Sequence, residues 1–194
     1  VAELLGEPLL RARNPVVATY ARAEAVDVRI SARAEGGRDA IEIADEEEAV
    51  VDRALGRFVW ARGSTTWSAA VGEALAARGW TLATTERGTG GALVALLRGL
   101  GDVRRAEVSA EDAAGEPTAL IADAERIRDA AGADVGFALH ALARGHDTRV
   151  LVGIATPRDT QYDERLAFQR GSQGADRAAI SGVAVLLAEL REAA

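Results

Sequence analysis

Over Val26-Asp27-Val28-Arg29-Ile30-Ser31-Ala32 apolar and polar residues alternate with period two, which predicts a half-buried strand. Upstream, Val1 to Arg13 reads as a polar helix, and Asn14-Pro15 is a turn signal that pushes Asn14 towards extended geometry. Val16 to Arg22 leads from that turn to the strand. A loop, Glu35-Gly36-Gly37-Arg38-Asp39, is followed by Ile41 and Ile43. Asp45 is then the expected cap of an amphipathic helix with Ala49, Val50, Ala54 and Leu55 on its apolar stripe, ended by Gly56. Phe58-Val59-Trp60-Ala61 is expected as a short closing strand. Residues 1–63 thus form a small α+β unit, and Arg62-Gly63-Ser64-Thr65-Thr66 is the linker.

The pattern then changes to longer alternations of helix and strand. Thr66 or Ser68 caps a helix through Val71, Leu75 and Ala76 to Arg78, closed by Gly79. Trp80 to Thr84 is a strand, Thr89-Gly90-Gly91 a tight turn, and Ala92 to Leu100 a helix. A polar stretch from Asp102 to Gly115 holds a strand at Arg105 to Val108. Glu116 and Pro117 open a helix to Ala131, with proline where a missing N–H does no harm. Asp134 to Leu142 and Arg149 to Ala155 are apolar strands, Arg165 to Gln169 an edge strand, and Ala175 to Arg191 a long closing helix. Residues 67–194 are therefore expected to be a layered α/β domain.

Composition sharpens this by exclusion. The chain has 194 residues and 23 basic side chains, all of them arginine, with no cysteine and no methionine. Without lysine there can be no Schiff base, no phosphate-loop lysine and no serine/lysine dyad, because a guanidinium does not deprotonate to replace an amine. Without cysteine there are no thiol nucleophiles, disulfides or thiolate metal sites. The net charge is −7, spread over both halves, which argues against nucleic-acid and anionic-membrane partners. No apolar run approaches the roughly 20 residues that span a bilayer, so the protein is expected in the cytoplasm. The start at Val1, without methionine, suggests a fragment of a longer protein.

Several short motifs carry a resemblance. Asn14-Pro15-Val16-Val17-Ala18-Thr19-Tyr20-Ala21-Arg22, followed by the strand from Val26 to Ala34, resembles the small KH-like middle domain of CinA, the competence/damage-inducible protein family. Gly79-Trp80-Thr81-Leu82-Ala83-Thr84-Thr85-Glu86 and Thr89-Gly90-Gly91 fall where that family's C-terminal domain has Ala-Glu-Ser-Cys-Thr-Gly-Gly. Gly115-Glu116-Pro117 falls on its Val-Ser-Glu-Pro. Ala131-Gly132-Ala133-Asp134 before a strand and the helix containing Arg177 complete the pattern. The resemblance covers essentially the whole chain, without the family's N-terminal molybdopterin-binding-like domain.

The resemblance implies an amidohydrolase that releases ammonia from nicotinamide mononucleotide. It would use a serine activated by lysine, with no metal and no cofactor, and would assemble as a homodimer. Residue by residue that chemistry does not carry over. The serine position holds Arg87 and the cysteine position Gly88, while Glu86, Thr89, Gly90 and Gly91 match. The lysine-bearing Tyr-Ser-Asn-x-x-Lys stretch should lie between Gly91 and Gly115, a short interval with neither tyrosine nor lysine. The Gly-Ile-Ala-Gly-Pro loop falls on Ala141-Leu142-Ala143-Arg144-Gly145. The expectation is a CinA-like fragment with no catalytic residue and a structural, dimerising or nucleotide-sensing role. The alternative is an amidohydrolase using another nucleophile.

The candidate ligand site is Glu86, Arg87, Thr89, Gly90 and Gly91, with a nicotinamide nucleotide or another phosphorylated small molecule as ligand. A plainer reading has Arg87 pairing with a structural acid such as Glu86, and Glu86 as an acid at a helix start. Thr84, Thr85 and Thr89 are hydroxyls without an evident base. His140 and His146-Asp147 invite a triad or metal site that the spacing does not define. Asp45-Glu46-Glu47-Glu48 reads as the solvated first turn of its helix. Gly36-Gly37 lacks the Gly-x-x-Gly spacing and basic surroundings of RNA-binding KH modules.

Overall fold

A computed structural model describes residues 1–22, 25–110 and 115–192, with the side chain of Arg57 left aside. The chain divides into two compact units, Val1–Arg62 and Gly63–Ala194.

In the first unit, β1 (Val16–Ala21) and β2 (Val26–Ser31) form an antiparallel pair in which Val17 faces Ile30 and Thr19 faces Val28. The period-two pattern therefore sends Val17, Val28 and Ile30 to one face. There they meet Leu5, Leu9 and Leu10 of α1 (Ala2–Leu10) and Val51, Ala54 and Leu55 of α2 (Ala40–Leu55). The cap of α2 is Asp39, not Asp45. Its carboxylate accepts the Ile41 N–H at 3.0 Å, and Glu42 reaches back to the Asp39 N–H at 3.4 Å, a reciprocal capping box. Asp45 to Glu48 consequently lie inside the helix rather than in its first turn, where Glu46 and Glu48 pair with Arg38 and Arg62. The buried stripe is Ile43, Val51 and Leu55, not Ala49 and Val50. Nor does Phe58 to Ala61 form a strand. Gly56–Phe58 makes a single tight 3-10 turn closed by the Val59 N–H on Gly56, and Val59 inserts into the core.

The second unit is built on a five-stranded sheet of order β4-β3-β5-β6-β7. β3 (Leu82–Arg87) runs parallel to β4 (Val103–Ser109) and to β5 (Val135–Arg144). β5, β6 (Asp147–Ala155) and β7 (Thr160–Ala167) form an antiparallel meander. Alternate residues of β5 serve opposite faces. Ala138 packs with Leu120 and Ala124 of α5 (Pro117–Ala131), while Leu139 and Phe137 meet Gly182 of α6 (Gly171–Glu192). α3 (Trp67–Ala76), capped by Thr66 through the Ala69 N–H, and α4 (Ala92–Leu96) pack on α6. α5 can lie close on the sheet because Gly136 has no side chain: a Cβ there would sit 1.9 Å from the Ala124 carbonyl oxygen.

The layered α/β expectation holds, preceded by a small α+β unit, with local shifts. β3 runs three residues beyond Thr84, because Glu86 and Arg87 are paired on both sides, to β4 and to β5. α4 stops at Leu96 rather than Leu100, and Gly99 turns with φ +88°. The edge strand at the meander's end is Thr160–Ala167, set earlier than expected by the tight turn in which the Thr156 N–H meets the Asp159 carbonyl. Within the polar stretch 102–115 the strand is longer than expected, and residues 111–114 lie outside the described residues.

Candidate functional site

β3 delivers Glu86 and Arg87 to opposite faces of the sheet, since neighbouring strand residues alternate. Glu86 is fully buried on the α4 side. Its carboxylate accepts the N–H groups of Leu93 at 3.0 Å and Val94 at 3.1 Å, and the Thr89 hydroxyl donates to it as well. The carboxylate thus satisfies the donors that a helix start leaves without intrahelical partners. Thr89 is buried beside it, Gly91 is half-buried and Gly90 is exposed. Thr84 and Thr85 are buried inside the strand.

Arg87 points the other way, to α5. Its Nη2 lies 3.3 and 3.2 Å from the two carboxylate oxygens of Asp123, and the side chains are only 18% and 14% exposed. The ring of the fully buried His140, the β5 residue in register with Arg87, places Nε2 3.1 Å from the same carboxylate. Arg126, one turn along α5, extends the set: Nε lies 3.5 Å from Asp123 and Nη2 2.9 Å from Glu107 of β4, whose carboxylate also meets Arg105 at 2.7 Å. The hydrogen bond that Arg126 donates to Glu107 raises its basicity against the opposing effect of burial. Asp123 is therefore the hub of an ionic cluster joining β3, β4, β5 and α5.

Between the two sits Gly88, with φ +75°. A Cβ there would lie 2.1 Å from the Ala141 carbonyl oxygen. The segment expected as a loop, Ala141 to Gly145, belongs to β5 as far as Arg144 and pairs with β6, so strand backbone lies directly against the β3–α4 turn. The candidate ligand residues are thus neighbours along the chain but face apart, with Glu86 and Thr89 on one side and Arg87 on the other.

The triad suggested by His146-Asp147 is not assembled. Asp147 accepts the Gln169 N–H at 3.1 Å, and His146 is exposed in the β5–β6 turn, while the carboxylate at His140 comes from Asp123. Sequence reading missed Asp123. Its signal was position: a carboxylate within the buried α5 stripe Leu120, Ala124, Ile127, where a charge needs a partner. Among the described residues no group of three His, Asp or Glu side chains is arranged to hold a metal ion, and no helix is long and apolar enough to cross a membrane.

Residues 1–61 match the damage-inducible protein CinA KH domain. The first unit thus matches a CinA domain, and half of the chain is similar to CinA-like proteins. It is 45% identical over 97 residues to a CinA-like protein of Deinococcus deserti, a match covering 50% of this chain and 23% of that protein. A putative competence-damage inducible protein of Clostridium novyi is 36% identical over 97 residues, again 50% of this chain and 23% of the relative. This chain therefore aligns with about a quarter of the length of those proteins. Among solved structures, a competence or damage-inducible protein from Enterobacter asburiae is similar with TM-score 0.49 and 19% identity, covering 66% of this chain and 99% of that one. A CinA superfamily protein from Escherichia coli is similar with TM-score 0.49 and 15% identity, covering 72% and 98%.

Proposed function

We propose that this CinA-like chain carries a non-catalytic C-terminal unit, a structural and dimerising module rather than an amidase acting on nicotinamide mononucleotide. One observation supports the reading. The polar side chains at the end of β3 are bonded to other groups of the chain: Glu86 to Thr89, Leu93 and Val94, and Arg87 to Asp123. An amidase needs a nucleophile exposed to substrate and a base free to take its proton. Here Arg87 stands at the serine position, permanently protonated, and the Thr89 hydroxyl is buried against a carboxylate occupied by two N–H donors.

The test is ammonia release from nicotinamide mononucleotide by metal-free protein, with no turnover expected. Turnover that disappears in Thr89→Ala would overturn the reading in favour of an amidohydrolase with threonine as nucleophile. A nucleotide-sensing role would place a nicotinamide nucleotide or another phosphorylated small molecule at Glu86, Arg87, Thr89, Gly90 and Gly91. With Glu86 and Thr89 buried, the mononucleotide is expected to leave the melting temperature unchanged. The activity of the longer relatives is a separate matter, since the match spans 23% of their length.

A further inference from the structure

In the first unit the ribbon of β1 and β2 gives one face to the helices. Val17 and Ile30, which pair across it, meet α1 and α2 there together with Val28. The alternate pairs, Val16 with Ser31, Ala18 with Arg29 and Tyr20 with Asp27, therefore stand on the opposite face. That outer face is divided along its length. On β1 it is apolar, with Val16 45% and Tyr20 49% exposed and the smaller Ala18 half-buried between them. On β2 it is polar. Asp27 is engaged by Arg22, whereas the exposed Arg29 has no ion pair among the described residues. Six acids of this unit, Glu42, Asp45 to Glu48 and Asp52, are carried by α2 behind the ribbon. An uncompensated cation thus lies beside an exposed apolar stripe in a chain of net charge −7.

We infer that the outer face of β1 and β2 is a docking surface for an acidic amphipathic helix of a partner protein. The spacing fits a helix. Alternate residues of a strand are about 6.7 Å apart, and four residues of helix rise about 6 Å. Three apolar side chains spaced by four along a helix therefore keep step with Val16, Ala18 and Tyr20 over about 13 Å. The middle one sits over Ala18, where the strand sets a small side chain between two larger ones. A carboxylate on the flank of that helix meets Arg29, which stands directly across from Ala18. Recognition is by side chains on a face, as for a helix laid in a groove, and it uses no free strand edge.

A tyrosine near an arginine also suits a stacked base. A nucleic-acid strand, however, needs cations that track its backbone, and Arg29 is the one uncompensated cation among the six outward positions. The acidic helix asks for one carboxylate and an apolar stripe, which is what this face answers. The inference concerns the first unit and does not depend on the reading of the second.

The test is fluorescence anisotropy of a labelled helical peptide of about 16 residues, with leucines spaced by four and glutamates on the flanks, titrated with the full chain. Saturable binding that weakens with added salt is expected. Tyr20→Ala and Arg29→Glu should each weaken it about tenfold or more and leave the melting temperature unchanged, since both side chains are exposed. The same peptide with lysine in place of glutamate should bind Arg29→Glu more tightly than it binds the wild type, a gain that a damaged fold does not produce. An absence of binding, a wild type that prefers the lysine peptide or an oligothymidine strand to the glutamate peptide, or affinity unchanged in either variant would each overturn the inference.

Discussion

Arg87 and Asp123 lie 36 positions apart in the chain, yet the guanidinium of one is 3.2 Å from the carboxylate of the other, at the end of β3 and beneath α5. The pair is mostly sheltered from water, and His140 and Arg126 share the same carboxylate. Removing one partner of a sheltered pair leaves a charge without compensation. Arg87→Met is therefore expected to destabilise the second unit by about 2–3 kcal/mol, below the 3–5 kcal/mol of a fully buried pair because both side chains keep some exposure. Urea denaturation measures this. Arg87→Met combined with Asp123→Leu should cost less than the sum of the two single changes, since together they remove both charges.

Glu86 gives the complementary prediction on the other face. Its carboxylate holds the first turn of α4 through two backbone N–H groups. Glu86→Ala leaves those donors without an acceptor, at roughly 1–3 kcal/mol for a lost buried partner. Glu86→Gln keeps one carbonyl oxygen and should be milder. Amide hydrogen exchange at Leu93 and Val94 reports the change locally: faster in Glu86→Ala, intermediate in Glu86→Gln.

The contrast between these sites shows what local pattern can and cannot carry. α5 was legible to the residue at its start because Glu116-Pro117 is a local signal, and Gly132 marks its end in the left-handed region. The layered α/β class was legible because helix and strand periods alternate. The cap of α2 is legible too, in Asp39 followed three residues later by Glu42, and the acidic run that starts at Asp45 lies inside the helix. Glu86 and Arg87 fall beyond the expected strand, which ends at Thr84, and Glu86 reads there as an acid at a helix start. What makes them strand residues is remote: pairing with Val108 and Ser109 of β4 and with Leu139 and His140 of β5. Of the candidate site, the residues were legible and their divergence was not, since facing apart follows from how far β3 runs.

A pH-dependent prediction comes from the meander. Arg149 holds Glu164 through Nε at 2.7 Å and Nη2 at 2.8 Å, and the Tyr162 hydroxyl donates to the same carboxylate at 3.0 Å. The hydrogen bonds from Arg149, opposed by desolvation and aided by Tyr162, lower the Glu164 carboxyl from 4.5 to about 2. A folded value below the unfolded one means that the stabilisation is complete above about pH 4.5 and is lost as pH falls through about 2. NMR titration should find Glu164 ionised well below the usual carboxylate range. Arg149→Ala should bring it back towards 4.5 and remove that part of the acid sensitivity.

The last prediction concerns rebuilding the family's signature. Putting serine at position 87 and cysteine at 88 would reproduce the residues that the resemblance leads one to expect. In this fold the change meets two obstacles. Arg87→Ser takes the guanidinium from Asp123. Gly88→Cys places a Cβ 2.1 Å from the Ala141 carbonyl oxygen, at φ +75°, where a side chain is strained even in open space. Neither the backbone of β5 nor the turn can yield easily, because Ala141 is paired to Val150 and Arg87 to both neighbouring strands. Gly88→Ala alone is therefore expected to lower stability by several kcal/mol, on the order of the largest single-residue effects. The double change Arg87→Ser with Gly88→Cys should give an unfolded or aggregated second unit with no amidase activity, read by circular dichroism and ammonia release. A folded, active double variant would show that β5 can withdraw from the turn.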